Sequence, residues 1–117
     1  MTRSASLDST FAALADPTRR AILAHLAEGP ANVGELARPF TISLPAISRH
    51  LAVLAGAGLI LREKHAQERR CRLAPNGLDG ASSWVEGMRA FWDVRFDALE
   101  RHLDETGKVK NARRKPG

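Results

Sequence analysis

The chain has 117 residues, which is the size of one domain with a single modest core. Its formal net charge is +5. No apolar stretch approaches the ~20 residues of a membrane-spanning helix, and the first ten residues contain no apolar signal core, so we expect a cytoplasmic protein. The one cysteine, Cys71, can form no internal disulfide and cannot build a zinc site by itself.

Charge is distributed unevenly along the chain. Residues 17–72 contain nine lysines and arginines against four acidic residues, whereas residues 73–105 contain three arginines against seven acidic residues. This division predicts two surfaces with different partners. Residues 106–117 contain five basic residues, no acidic residue and almost no apolar side chain. They are predicted to be a basic disordered tail behind one folded domain of residues 1–105.

Apolar spacing predicts two helices at the start of the chain. The first covers residues 7–15 and places three apolar side chains on one face, namely Leu7, Phe11 and Leu14. The second covers residues 17–27. Asp16 is a preferred N-cap for it, and Pro17 is a preferred first helical residue.

Two short helices with a tight connection follow. Asn32 opens the third helix, and Glu35 stands at the spacing of a capping box. Ser43 caps the fourth helix, which is predicted to end at about Ala57, before Gly58.

The pattern then changes to that of a β-hairpin and returns to helix. Residues 59–64 and 70–73 are predicted as strands, residues 65–69 as their turn, and residues 81–103 as a long final helix. The order α-α-α-α-β-β-α describes a mainly α protein with a small β-hairpin, which is a winged helix-turn-helix.

The fourth helix has the pattern of a DNA recognition helix. Its apolar face contains Ile47, Leu51 and Leu54, and its opposite face is small and polar. Arg49 suits the O6 and N7 atoms of a guanine, and Ser48 suits a base or a phosphate. A solvated helix surface is the alternative, which the neighbouring helix and the basic hairpin make less favourable. The residues assigned to DNA here are Ser43, Pro45, Ala46, Ser48 and Arg49.

Further cations are assigned to DNA outside this helix. The hairpin carries five: Arg62, Lys64, Arg69, Arg70 and Arg72. We expect about half of them to touch DNA, because Glu63 and Glu68 can pair with neighbouring arginines. Arg19 and Arg20 open the second helix, and for each both DNA contact and a bond within the domain remain open.

The final helix carries a broad apolar stripe, which predicts a homodimer. The stripe can pack on Leu14 and Phe11 of its own chain, and we expect the rest to lie across a two-fold axis. The acidic outer face of this helix would then point away from DNA. The predicted dimer-interface residues are Phe11, Trp84, Met88, Phe91, Trp92, Phe96, Leu99 and Leu103.

Four segments in the correct order resemble the ArsR family of bacterial winged-helix repressors. They are residues 15–23 (ADPTRRAIL), 33–37 (VGELA), 43–51 (SLPAISRHL) and 57–60 (AGLI). The resemblance covers roughly residues 7–103. It implies a dimeric repressor that binds inverted half-sites in double-stranded DNA and releases them on an inducing signal.

The sequence departs from the metal-sensing members that it resembles. Those members have a cysteine pair in the third helix, where residues 35–39 contain none, or acidic and histidine ligands on the final helix. The final helix here contains only His102, followed by Asp104 and Glu105. We therefore expect no metal and no cofactor. If release from DNA is regulated, an unidentified small molecule or a thiol change at Cys71 is the inducing signal that we expect rather than a metal.

Several alternatives stay open at this stage. His50 is either packed and hydrogen-bonded or a base reader. Cys71 is either an ordinary strand residue or a redox sensor whose thiolate the nearby arginines favour. An enzyme is disfavoured because the chain has no phosphate loop, catalytic triad or metal cluster. A second alternative function is that of a winged helix used only for contacts with other proteins. A third is a MarR-type repressor, against which the short chain argues.

Overall fold

The computed structural model describes residues 3–105, and their element order confirms the predicted winged helix-turn-helix with one addition, a short strand before the third helix. The helices are α1 (Arg3–Leu14), α2 (Pro17–Leu26), α3 (Val33–Ala37), α4 (Leu44–Gly56) and α5 (Asp79–Glu105). The strands are β1 (Ala31–Asn32), β2 (Ile60–His65) and β3 (Glu68–Leu73). The predicted basic tail lies outside the described residues.

The N-caps of α2, α3 and α4 are the three polar side chains that the sequence predicts. The Asp16 carboxylate accepts from the backbone N–H of Arg19 at 3.0 Å, and Ser43 Oγ accepts from the N–H of Ala46 at 3.2 Å. Asn32 and Glu35 form both hydrogen bonds of a capping box, at 2.8 and 2.9 Å. Each cap satisfies a backbone donor that the helix leaves unpaired, which is worth ~1 kcal/mol.

The sheet has three antiparallel strands in the order β1-β3-β2. Strand β1 was not predicted, because two residues show no alternation. It forms because Asn32, as the N-cap of α3, already has an extended backbone and pairs with Arg70. The hairpin turn is also shorter than predicted: residues 66 and 67 alone connect β2 to β3, and Ala66 adopts φ +57°.

The chain falls into two compact units, one that ends at Ala81 and one that begins at Ser82. In the first, α2, α3 and α4 bury their apolar faces in one core with β2 and β3. Thr10 and Ala13 of α1 are buried, and Leu14 packs against this core, whereas Phe11, one of the residues assigned to the dimer, is exposed. The fully buried large side chains of this core are Ile22, Leu36, Ile47, Leu51, Leu54, Ile60 and Cys71.

The second unit consists, in its described part, of α5 from Ser82 onward. Large apolar side chains along this helix are exposed, among them Trp84, Phe91, Trp92 and Leu99. Among the described residues, no helix is long and apolar enough to cross a membrane.

Cys71 belongs to the core of the first unit. Its side chain is 1% exposed, and burial raises the pKa of the thiol although the charge of Arg62 acts in the opposite direction. The expectation that neighbouring arginines favour the thiolate is therefore wrong in its net direction, because desolvation of the charged form outweighs their attraction.

We predict that Cys71 is protected from alkylation in the folded protein. Iodoacetamide at pH 8 should modify it at the rate at which the domain unfolds, because the reactive thiolate is both buried and disfavoured. Mass spectrometry of native and urea-unfolded protein measures the difference. The variant Cys71→Ser/Ser83→Cys, whose thiol is on the exposed Ser83 position, is the matched control and should react at once. Equal rates for both proteins would contradict the prediction.

Candidate nucleic-acid interface

Helix α4 turns the predicted face outward. Ile47, Leu51 and Leu54 are buried at 1% exposure or less, which fixes the rotation of the helix about its axis. Ser48 and Arg49 are exposed on the other side. The structure thus gives the helix a small polar surface with one long cationic side chain.

Three small residues at the N-terminal end of α4 belong to the same candidate surface. Ser43 and Pro45 are exposed, and Ala46 is half-buried. Because Ser43 Oγ accepts the N–H of Ala46, its hydroxyl proton remains available to donate to an oxygen. The positive end of the helix dipole lies at the same place and favours anions.

The register of the hairpin separates its charges into two faces. Directly paired residues share a face, and the pairs are Ile60 with Leu73, Arg62 with Cys71, and Lys64 with Arg69. The opposite face contains Leu61, Glu63, His65, Glu68, Arg70 and Arg72. We call the first the cationic face, since it carries three cations and no carboxylate, and the second the paired face.

The carboxylates of the paired face hold its arginines. Arg72 Nε donates to Glu63 Oε2 at 2.9 Å, and an Arg70 nitrogen lies 3.7 Å from Glu68 Oε1. Glu68 also accepts from the side-chain amide of Asn32 at 3.2 Å. The expectation that Glu63 and Glu68 pair with neighbouring arginines is confirmed.

Comparison with known proteins gives a consistent result. The profile of a helix-turn-helix domain family matches residues 14–63. The HTH-type transcriptional regulator Rv2034 of Mycobacterium tuberculosis is 39% identical over 102 residues, which are 87% of this chain and 92% of that protein. An ArsR-like transcriptional regulator from Rhodococcus, of known structure, is 35% identical with a TM-score of 0.72, and the match covers 84% of this chain and 92% of that one. The chain belongs to the ArsR family of transcriptional regulators.

A third similar protein is a solution structure from Mycobacterium bovis. It is described as a homodimeric winged helix-turn-helix DNA-binding domain of a possible ArsR-family regulator. It is 26% identical to this chain with a TM-score of 0.58, and the match covers 85% of this chain and 83% of that one. Three curated relatives are named as repressors.

In this ArsR-family chain, the guanidinium of Arg19 connects α1 to α4. It donates to the carbonyls of Ala12 and Ala13 at the end of α1, at 3.0 and 2.8 Å, and one nitrogen lies 3.1 Å from His50 Nδ1. Because a guanidinium only donates, His50 Nδ1 is the acceptor in this contact. The interpretation of His50 as a packed, hydrogen-bonded residue is confirmed.

Arg20 has a similar role, since it donates to the carbonyl of Leu14 at 2.8 Å. Both arginines therefore make the bond within the domain that the sequence left open beside DNA contact, and its acceptors are backbone carbonyls of α1. Asp16 lies 3.9 Å from His50 Nδ1. The hydrogen bond from the Arg19 N–H lowers the pKa of this carboxyl more than burial raises it, so its contribution to stability is lost as the pH falls through that lowered pKa.

Helix α5 holds seven of the eight residues assigned to a dimer, and the eighth, Phe11, is an exposed residue of α1. Trp84, Phe91, Phe96 and Leu99 are exposed, and Met88 and Leu103 are half-buried. A shallow groove of about 320 Å³ runs along the helix between Trp84 and Trp92. Within residues 3–105 no group of three or more histidine, cysteine or acidic side chains is placed to hold a metal ion.

Sequence reasoning missed two features of this surface. Leu44, the first residue of α4, was not assigned a role, yet it is 55% exposed. Its position after the N-cap was the available signal, because no earlier helical turn covers a residue there. The division of the hairpin cations into two faces depends on register, which the sequence did not specify.

We predict that the two hairpin faces differ in their contribution to DNA binding. In Lys64→Gln/Arg69→Gln the slope of log K against log salt should fall by about one unit for each phosphate that the variant no longer binds. In Arg70→Gln/Arg72→Gln, which removes the same charge, it should fall less, because those arginines are bound to carboxylates. Fluorescence anisotropy on random duplex at several salt concentrations gives the slopes. Equal slopes for the two variants would refute the distinction.

Proposed function

We propose that this protein is a sequence-specific transcriptional repressor that binds an inverted-repeat operator in bacterial double-stranded DNA as a homodimer. The observation that supports it best is the outward face of α4, where Ser48 and Arg49 are exposed while the apolar face is anchored in the core. A small polar helix surface can approach base edges closely in a major groove about 12 Å wide.

Base reading falls to the first two turns of α4. Arg49 donates two hydrogen bonds to O6 and N7 of a guanine, and Ser48 donates to a base or a phosphate. Ser43 and the N-terminal backbone of α4, with Pro45 and Ala46 beside them, contact the sugar-phosphate chain. These contacts fix the register of the helix in the groove.

Phosphate binding by the hairpin falls to its cationic face. Arg62, Lys64 and Arg69 share that face with no carboxylate on it. Arg70 and Arg72 hold the hairpin together through Glu68 and Glu63, and Arg19 and Arg20 bind backbone carbonyls of α1. Three hairpin cations, rather than five, supply the general affinity for DNA.

The exposed apolar residues of α5 support association of two chains. An exposed stripe with two tryptophans costs free energy in water, and a two-fold contact buries it in both copies at once. The homodimer described for the Mycobacterium bovis structure is consistent with this. Two copies of α4 then read two half-sites about one helical turn apart, which requires an inverted repeat.

Repression follows from occupancy, because a dimer on the operator excludes other proteins from that DNA. A cytoplasmic location follows from access to the genome. Release through oxidation of Cys71 is disfavoured, because the thiol is buried and its pKa is raised. A small molecule remains the inducer that we expect.

We predict that Arg49 carries specificity rather than general affinity. The operator is first obtained by selecting bound DNA from a random pool. Arg49→Ala should then weaken operator binding by ~1–3 kcal/mol and leave binding to random DNA much less affected. Arg49→Lys keeps the charge but not the two-pronged donor, so it should lose most of the same preference. An unchanged ratio of operator to random binding in both variants would rule out base reading by Arg49.

We predict that one side of α5 forms the dimer. Trp92→Glu should shift the protein toward monomer in sedimentation equilibrium, because the charge would be buried in the apolar contact. Val94→Glu is the matched control: the two side chains are 68% and 67% exposed but point about 200° apart around the helix, so it should remain dimeric. Dimers of equal stability in both variants would exclude this interface.

A further inference from the structure

Leu44 is a large apolar side chain exposed at the tip of the recognition helix. It is 55% exposed, whereas Leu51 and Leu54 of the same helix are 1% and 0% exposed. Two of the three leucines of α4 therefore belong to the core, and Leu44 does not. Because Leu44 directly follows the N-cap Ser43, its exposure results from its place in the helix.

Leu44 lies in the first turn of α4, ahead of the residues proposed to read bases. Around the helix it lies about 40° from Ser48, about 140° from Arg49 and about 20° from the buried Leu51, so its exposure comes from its place at the N-terminal end of α4, where no earlier turn covers it. Long side chains in a helix point back toward its N-terminus, and Leu44 therefore extends ahead of Ser48 at the end that enters the groove first. Pro45 and Ile42 are exposed beside it in sequence, so this tip is apolar.

The surroundings of this apolar tip are those of a polyanion-binding surface. Arg49 lies five residues further along α4, about 140° around the helix from Leu44, and the hairpin of the same unit carries three cations without a carboxylate on their face. A protein ligand for such a surface would need its own phosphate-like charge next to an apolar group. DNA supplies both, because the C5-methyl group of thymine is the apolar group that base pairs present in the major groove.

We infer that Leu44 reads a thymine by packing on its C5-methyl group, so that each operator half-site contains a required thymine near the guanine bound by Arg49. The inference rests on the proposed function, whose specificity it makes explicit. Ser48 and Arg49 recognise hydrogen-bonding atoms, and Leu44 recognises the one base edge that offers carbon instead. A thymine and a cytosine at that position are then distinguished by the methyl group.

The test replaces each thymine of the selected operator in turn with deoxyuridine. This substitution removes the methyl group and leaves the base pair and its hydrogen bonds intact. For the wild-type protein, one position in each half-site should lose affinity about fourfold, which corresponds to ~0.8 kcal/mol for one buried methyl group. Anisotropy titrations at a fixed salt concentration measure the loss.

Two variants assign the effect to its residue. Leu44→Ala should bind the thymine and the uracil operators equally, because the partner of the methyl group is gone. Val53→Ala removes another exposed apolar side chain of α4, 43% exposed and in the last turns of the helix, and it should keep the full uracil penalty. Circular dichroism confirms that each variant is folded, which we expect because both positions are exposed.

Each outcome decides the matter. A uracil penalty that vanishes in Leu44→Ala and persists in Val53→Ala supports the inference. Absence of any penalty, with operator preference intact, overturns the inference and leaves the proposed function standing, as does a penalty that persists in Leu44→Ala. If the random pool yields no preferred sequence, the proposed function itself fails, and the inference about Leu44 falls with it.

Discussion

The burial of one face of α4 is the constraint on which the rest of this surface depends. Ile47, Leu51 and Leu54 contribute to the core together with residues of α2, α3 and the sheet, and at roughly 1.5–3 kcal/mol for each side chain this fixes the rotation of the helix. Once it is fixed, Ser48 and Arg49 face outward. Arg19 adds a polar restraint, because it ties His50 of α4 to the carbonyls at the end of α1.

In the DNA complex that we propose, pairing with carboxylates, rather than the number of cations, determines which hairpin residues bind phosphates. The antiparallel register places Glu63 and Glu68 on one face with Arg70 and Arg72, and leaves the opposite face with positive charge alone. An arginine that already binds a carboxylate must break that bond or share it before it binds a phosphate. The formal charge of the segment therefore overstates the number of cations that can release counterions from DNA.

Most of the fold could be predicted because its local signals agree with its core. The caps Asp16, Asn32 and Ser43 each stand where the first backbone N–H groups of a helix need an acceptor, and apolar periodicity located the buried face of α4. Strand β1 escaped prediction because it is held by pairing with β3, which is distant in sequence. The partners of Arg19 and Arg20 could not be predicted either. They are backbone carbonyls, which every residue has, so no residue type in the sequence indicates them. For Cys71, composition showed the neighbouring charges but not the desolvation that outweighs them.

The residues that fold α4 and those that face outward from it alternate along one short segment. Ser43, Ile47, Leu51 and Leu54 define where the helix begins and how it is rotated, and the outward positions between them make no contribution to the core. Substitutions at those outward positions therefore cost little stability, whereas each changes the chemical groups on the face of α4 that we propose enters a major groove. On that proposal, a small domain built in this way can acquire a different operator without a change of fold, because the fold depends on the buried residues of α4 and the choice of DNA sequence depends on its few exposed ones.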